Sequence, residues 1–245
     1  MRQLSFILLL ILMVMALPLF GQAKYEMDTL KTPKGDVVIS FLGHGSVMVE
    51  FKGKVMYVDP VSRYADFSKM PKADLILITH EHGDHLDSTA IEGCRTEKTK
   101  ILCCAACLPK ARGGIAMKNG ETRTIDGIKV EAVPAYNIVH VRSEGVPFHA
   151  KGSGNGYILT LGGKRIYTAG DTENIPEMSQ LGAIDAAFLP MNLPYTMTPE
   201  MVAEAAKRIQ PKILYPYHFG KTDTSLLVNL LKDEKGIDIR IRKMQ

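Results

Sequence analysis

Three histidines and an aspartate fall within six positions in Thr79-His80-Glu81-His82-Gly83-Asp84-His85-Leu86-Asp87. They follow directly on an apolar run, Leu75-Ile76-Leu77-Ile78, which reads as a buried strand. The polar cluster therefore sits where that strand ends. Half-buried His and Asp at this density need partners, and a divalent cation is a common partner for such a donor set. His80 and His82 alternate on one face of an extended chain and can chelate one ion together. Asp84 and His85 follow at the turn and can reach a second ion nearby. A solvated polar loop is the competing reading, but H-x-H-x-D-H is far more specific than a lone histidine.

A dinuclear site needs further ligands, and two candidates stand at other strand ends. Tyr167-Thr168-Ala169-Gly170-Asp171-Thr172 places Asp171 behind a glycine that permits a sharp turn, where a carboxylate can bridge two cations. Tyr215-Pro216-Tyr217-His218-Phe219-Gly220 places His218 in the same kind of context.

The elements that must position these residues are legible as short apolar runs between turns. Val37–Leu42, Val47–Phe51 and Lys54–Val58 read as strands separated by glycine-containing turns. Leu75–Thr79 feeds the metal motif, a helix follows from Ser88, and Lys100–Cys104 is another strand. A second half begins in a similar way. Thr122–Ile125 and Lys129–Val133 flank Asp126-Gly127, a hairpin signal. Tyr157–Leu161 and Arg165–Ala169 flank Gly162-Gly163, and Ala186–Leu189 is a buried strand. Thr198 caps a helix with Pro199 at its first position, running to about Ile209. Lys212–Tyr217 returns as a strand, a helix follows Asp223, and Ile237–Ile241 closes the chain. This order predicts two mixed sheets packed face to face with helices outside.

Bulk properties set the frame. The first 23 residues read as a secretory signal peptide: Met1-Arg2, an apolar run from Leu4 to Phe20, then small residues before position 24. An uncleaved anchor is the alternative, and it is the only membrane contact expected. Residues 24–245 are enough for one large domain with a real core. The formal charge of +4 is mild, and no basic run carries interleaved aromatics, so a nucleic-acid partner is not expected. Cys94, Cys103, Cys104 and Cys107 cluster, the last two in C-x-x-C spacing. Buried structural thiols are the favoured reading, with a disulfide or redox pair as alternatives.

With these residues in order, the chain resembles the metallo-β-lactamase superfamily of hydrolases. His80-x-His82-x-Asp84-His85, the Gly170-Asp171-Thr172 segment and the late His218 match its signature, and the resemblance spans nearly all of residues 24–245. It implies an α/β fold, a four-layer αββα sandwich of two mixed β-sheets flanked by helices, with the site at one edge of the sheets. It also implies two divalent metal ions. His80 and His82 would bind the first, Asp84, His85 and His218 the second, and Asp171 would bridge them. The first ion needs a third histidine. Many relatives carry it in a Pro-Ala-aromatic-His pattern, but this chain reads Pro134-Ala135-Tyr136-Asn137. His149 and His140 remain, and His149 is favoured because it leads through a glycine-rich stretch into the next strand.

His44, in Leu42-Gly43-His44-Gly45-Ser46, resembles a histidine of the lactonase and phosphodiesterase-like branch and is a candidate for a pocket or proton-transfer role. Asp59, at the end of the third strand, is a candidate acceptor for a ligand ring N–H. Asn192, Tyr136, Phe148 and Tyr195 are candidates for the pocket lining. Zinc is the default ion for a His-rich set, with manganese and iron open. Two cations sharing a carboxylate lower the pKa of water towards about 7, and Asp84 would orient that water. The expected function is hydrolysis of an ester, lactone or phosphodiester bond in a small-molecule substrate, in the periplasm or outside the cell. The alternatives are a β-lactamase-type amide hydrolase and a non-catalytic metal-bound binding protein. Oligomeric state is not legible.

Overall fold

The computed structural model describes residues 25–244, so the expected signal segment lies outside the described residues. The first half contains β1 (Glu26–Leu30), β2 (Val37–Gly43), β3 (Ser46–Phe51), β4 (Lys54–Val58), β5 (Leu75–Ile78), α1 (Ser88–Cys94), β6 (Lys100–Cys103) and β7 (Gly114–Ala116). These seven strands form one sheet in chain order, antiparallel from β1 to β4 and parallel from β4 to β7. The second half contains β8 (Thr122–Ile125), β9 (Ile128–Ala135), β10 (Val141–Ser143), β11 (Val146–Pro147), β12 (Gly154–Leu161), β13 (Lys164–Thr168), β14 (Ala186–Pro190), α2 (Pro199–Ile209), β15 (Ile213–Tyr217), α3 (Thr224–Leu230) and β16 (Asp238–Ile239). Its main sheet runs β16-β15-β14-β13-β12-β9-β8, with the antiparallel part between β8 and β13 and the parallel part from β13 to β16. β10 and β11 form a separate small hairpin.

Side-chain alternation explains the layering. Successive residues of a strand face opposite sides. On β4, Met56 and Val58 enter the large core shared with the second sheet, while Tyr57 enters a separate core under α1. On β5, Leu75 and Leu77 face the first core, and Ile76 and Ile78 the second. Both faces of β5 are thus covered, which is why it reads as an unbroken apolar run. α1 contributes Ala90, Ile91 and Cys94 to the outer core of the first sheet. α2 and α3 join the second sheet through Val202, Ala206, Ile209 and Leu227. This is the expected αββα sandwich.

The helix ends follow local rules. Asp87 caps α1 by accepting from Thr89 N at 2.8 Å, and its other oxygen accepts from Ser62 N at 2.8 Å. The last residue of the metal motif thereby ties that loop to the loop after β4. Thr198 caps α2 as expected, accepting from Met201 N at 3.1 Å.

Two expectations need correction, and the favoured reading of the cysteines as buried thiols stands. β1 was not anticipated: it is an edge strand with an exposed Met27, and its Asp28 accepts from Tyr215 Oη at 2.6 Å, Arg240 at 3.0 Å and Arg242 at 2.7 Å. Burial pushes this carboxyl up, but the hydrogen bonds outweigh it and hold its pKa below the ordinary value. The closing strand is only Asp238–Ile239, because Arg240 and Arg242 turn away to reach Asp28. The four cysteines are buried free thiols, with Cys104 and Cys107 Sγ 3.3 Å apart.

Candidate metal centre

The carboxyl ends of the parallel strands converge. Asp59 follows β4, His80 to His85 follow β5, Asp171 follows β13 and His218 follows β15. Ligands of α/β sheets collect at such ends, where the helical or loop crossovers leave the edge open. The β2–β3 turn closes the same edge. His44 and His218 both adopt left-handed backbone, φ 53° and 49°, uncommon outside glycine, and His218 N donates to His44 O at 3.0 Å. Gly45 lets this turn come close: a Cβ there would lie 2.9 Å from the His85 ring. Gly170, at φ 67°, makes the bend that presents Asp171, and its N–H donates to Tyr217 Oη at 2.9 Å.

Three ring nitrogens form the first group. His80 Nε2 lies 3.1 Å from His82 Nδ1, and His149 Nε2 lies 3.2 Å from the same atom. Metal–nitrogen bonds of about 2.0–2.1 Å in a tetrahedron put ligand nitrogens roughly 3.3 Å apart. The group therefore matches the first ligand set in composition and spacing. His149 lies in this group, and His140 does not. His140 Nδ1 instead lies 2.8 Å from Glu173 Oε1, without hydrogen-bond geometry.

The second group gathers Asp84, His85, His218 and also His44. Asp84 Oδ2 lies 3.1 Å from His44 Nε2, 3.5 Å from His218 Nε2 and 3.9 Å from His85 Nε2. Asp171 stands between the groups. Its Oδ1 is 3.3 Å from His85 Nε2, and its Oδ2 is 3.4 Å from His149 Nε2 and 3.5 Å from His218 Nε2. Among the described residues, four buried atoms of these groups lack a hydrogen-bond partner: His85 Nε2, Asp171 Oδ1 and both His218 nitrogens. Orphaned donors at this density are costly unless something binds them, and this set of His nitrogens and carboxylate oxygens fits divalent cations.

The supporting contacts fix which ring nitrogen faces inward. His85 Nδ1 donates to Asp59 Oδ2 at 2.8 Å, leaving Nε2 for the site. Thr79 Oγ1 donates to the same Asp59 oxygen at 2.6 Å and accepts from His80 Nδ1 at 3.0 Å. One fully buried carboxylate thus orients two candidate ligands, the role anticipated for Asp59. His149 Nδ1 donates to Asn137 Oδ1 at 2.7 Å, and the backbone N of His149 donates there at 2.9 Å. Asn137 is held in turn by Glu173 Oε1 at 3.1 Å and Tyr195 O at 2.9 Å. The residue that replaces the expected histidine is the bracket for the histidine that takes its place.

Electrostatics divide the rings by their surroundings. Burial and the nearby His85 hold His80 well below the ordinary histidine value, and burial takes His149 down to about 4. Both rings are neutral at pH 7 with lone pairs available. Burial opposes protonation of His85 too, but Asp171 and Asp59 outweigh it and raise its pKa well above the ordinary value. Burial pushes the Asp84 carboxyl up, and the neighbouring His218 and His44 rings overcome this and keep it ionised.

Above the groups lies a cavity of about 540 Å3 whose lining includes Asp84, His149, Asn192, Tyr195, Phe148 and Arg142. Tyr136, proposed for the lining, is instead buried beneath the loop, bonded to Glu177. Thr79, Glu173 and Arg142 were missed. Glu173 is fully buried and accepts from the N–H groups of Val139 and His140 at 2.7 Å each, so it holds the loop that carries Asn137. Only its place two residues after Asp171 could have flagged it.

Asn137→Ala removes the acceptor that aims His149. Zinc affinity in a chelator competition is expected to fall about 10–100-fold, with Asn137→Asp restoring most of it.

The family model described as a beta-lactamase superfamily domain matches residues 38–218. A UPF0173 metal-dependent hydrolase of Thermococcus kodakarensis is 36% identical over 198 residues, covering 75% of this chain and 85% of its own. A crystal structure from Parabacteroides distasonis, carrying the name metal-dependent hydrolase, superposes with TM-score 0.86 at 49% identity, over 90% of this chain and 100% of that one. Igni18, a metallo hydrolase of Ignicoccus hospitalis, gives TM-score 0.66 at 25% identity, over 84% of this chain and 94% of its own.

Proposed function

The chain belongs to the metallo-β-lactamase superfamily and is a metal-dependent hydrolase, and from that premise we propose that it cleaves an ester, lactone or phosphodiester bond at a dinuclear centre. The observation that carries this reading is the position of Asp171, with one oxygen toward His85 and the other toward His149 and His218. In this reading His80, His82 and His149 hold one cation. Asp84, His85 and His218 would hold the other, with Asp171 shared between them.

Zinc is the ion we propose, since neutral imidazoles dominate the set. Divalent cations, when bound, supply a water of lowered pKa and Lewis acidity toward the scissile group. The chain's own residues do the rest. Asp84 is the least buried carboxylate of the set, with its side chain 45% exposed to the cavity, so it can take the proton of an attacking water. His44 Nε2 holds that carboxylate in place at 3.1 Å, and its ring stacks on Tyr64 with centroids 5.4 Å apart. Phe148 and Tyr195, edge to face at 5.1 Å, form an apolar wall that excludes water from one side of the substrate. We also propose export, supported by the apolar stretch from Leu4 to Phe20.

The test uses protein stripped by chelator and reloaded with zinc, manganese or ferrous iron. It is assayed on aryl esters, lactones, phosphodiesters and a β-lactam. Turnover of one of the first three classes, lost on stripping and restored on reloading, is the expected result. Turnover of the β-lactam alone would redirect the reading to amide hydrolysis. No turnover with metal bound would leave a binding protein.

A further inference from the structure

One wall of the cavity carries a cation that no described residue neutralises. Arg142, on β10, lines the same cavity as His82, His149 and His218, and its guanidinium carbon lies 5.8 Å from the centroid of the Phe148 ring. Among the described residues no carboxylate lies within ion-pair distance of it, neighbouring Glu144 included. Other arginines are engaged differently: Arg165 holds Glu131, Arg240 holds Asp28 and Asp238, and Arg242 holds Asp28.

The arm bearing Arg142 has a fixed base. Glu173 binds the backbone N–H groups of Ile138, Val139 and His140, immediately before β10. On the far side, β11 leads through Phe148 directly into His149. Arg142 is therefore tied from both ends to the first ligand group. Phe148 and the half-exposed Tyr195 pack edge to face and give the same cavity an apolar wall.

We propose that Arg142 recognises a second oxyanion, a carboxylate or phosphate, on the substrate, remote from the bond that is cleaved. The segment joining the two ends is aliphatic or aromatic and lies against Phe148 and Tyr195. The planar guanidinium matches either oxyanion through paired N–H donors, and its contact with the Phe148 face orients it beforehand. This inference rests on the hydrolase reading of the same site and names its substrate class.

Calorimetric titration of zinc-loaded protein tests it. The probes are α,ω-dicarboxylates of three to eight carbons, monocarboxylates of the same lengths, and the matching ω-phosphonocarboxylates. At one length the doubly anionic probe is expected to bind about tenfold more tightly than the monocarboxylate. Whether the second carboxylate or the phosphonate gives the larger gain identifies the oxyanion. In Arg142→Ala that ratio should fall to near one, and Arg142→Lys should keep part of it as a point charge. Thermal unfolding of both variants confirms that the hairpin change leaves the fold intact. A ratio near one at every length in the parent protein, or an undiminished ratio in Arg142→Ala, overturns the proposal and leaves the hydrolase reading untouched. Failure of turnover across the substrate classes above overturns the hydrolase reading while the binding ratio still reports on Arg142.

Discussion

Asp84→Ala is expected to lower kcat/KM about 10^3-fold on whichever bond class the protein hydrolyses, with little change in the unfolding midpoint of the metal-free protein. The two halves of this expectation have separate causes. Asp84 lies at the cavity floor, partly exposed, outside both apolar cores, so its loss opens no buried void. Its carboxylate nevertheless meets three rings of the second group, His44, His85 and His218. It is thus the one acidic group placed both to hold a cation and to accept a proton from the cavity side. Asp84→Asn keeps the shape but not the charge, and should lose nearly as much. Full activity in either variant would remove Asp84 from the chemistry.

A second large effect is expected at Asp171. This carboxylate is buried, and its two oxygens face different histidine sets. Asp171→Ala should therefore reduce bound metal from two ions per chain to one or none. The same variant should lose most of the stabilisation that zinc confers. Zinc at a thousand times its dissociation constant stabilises a folded site by about 4 kcal/mol, or roughly 10 °C for a domain of this size. Melting curves with and without zinc, on the parent and the variant, check this. An equal zinc shift in both would contradict a bridging role.

How much of this was legible in the sequence depended on distance along the chain. His80 to His85 announced themselves because four of six consecutive positions carry His or Asp behind an apolar strand. Asp171 and His218 were found through local context, each at the end of a readable strand. The layered architecture followed from apolar runs such as Leu75–Ile78, whose coverage on both faces needs two layers around it. What was not legible needed three dimensions. Asn137 looked like a lost ligand, and only the fold shows its amide oxygen aiming His149, twelve residues on. Glu173 gives no sequence signal for binding three backbone N–H groups more than thirty residues earlier. The β10–β11 hairpin has strands of three and two residues, too short for periodicity to register, so Arg142 was passed over. β1 was missed for a different reason: Glu26–Leu30 is mostly exposed at a sheet edge and lacks an apolar pattern.

The most direct test of the account is the metal content of the purified protein, measured beside His149→Ala and His140→Ala. Two divalent ions per chain are expected in the parent and in His140→Ala, with a clear loss in His149→Ala. His140 lies outside every group of converging donors, whereas His149 shares 3.2 Å with His82. A parent protein that binds no metal, or a loss in His140→Ala with none in His149→Ala, would contradict the ligand set and the dinuclear centre built on it.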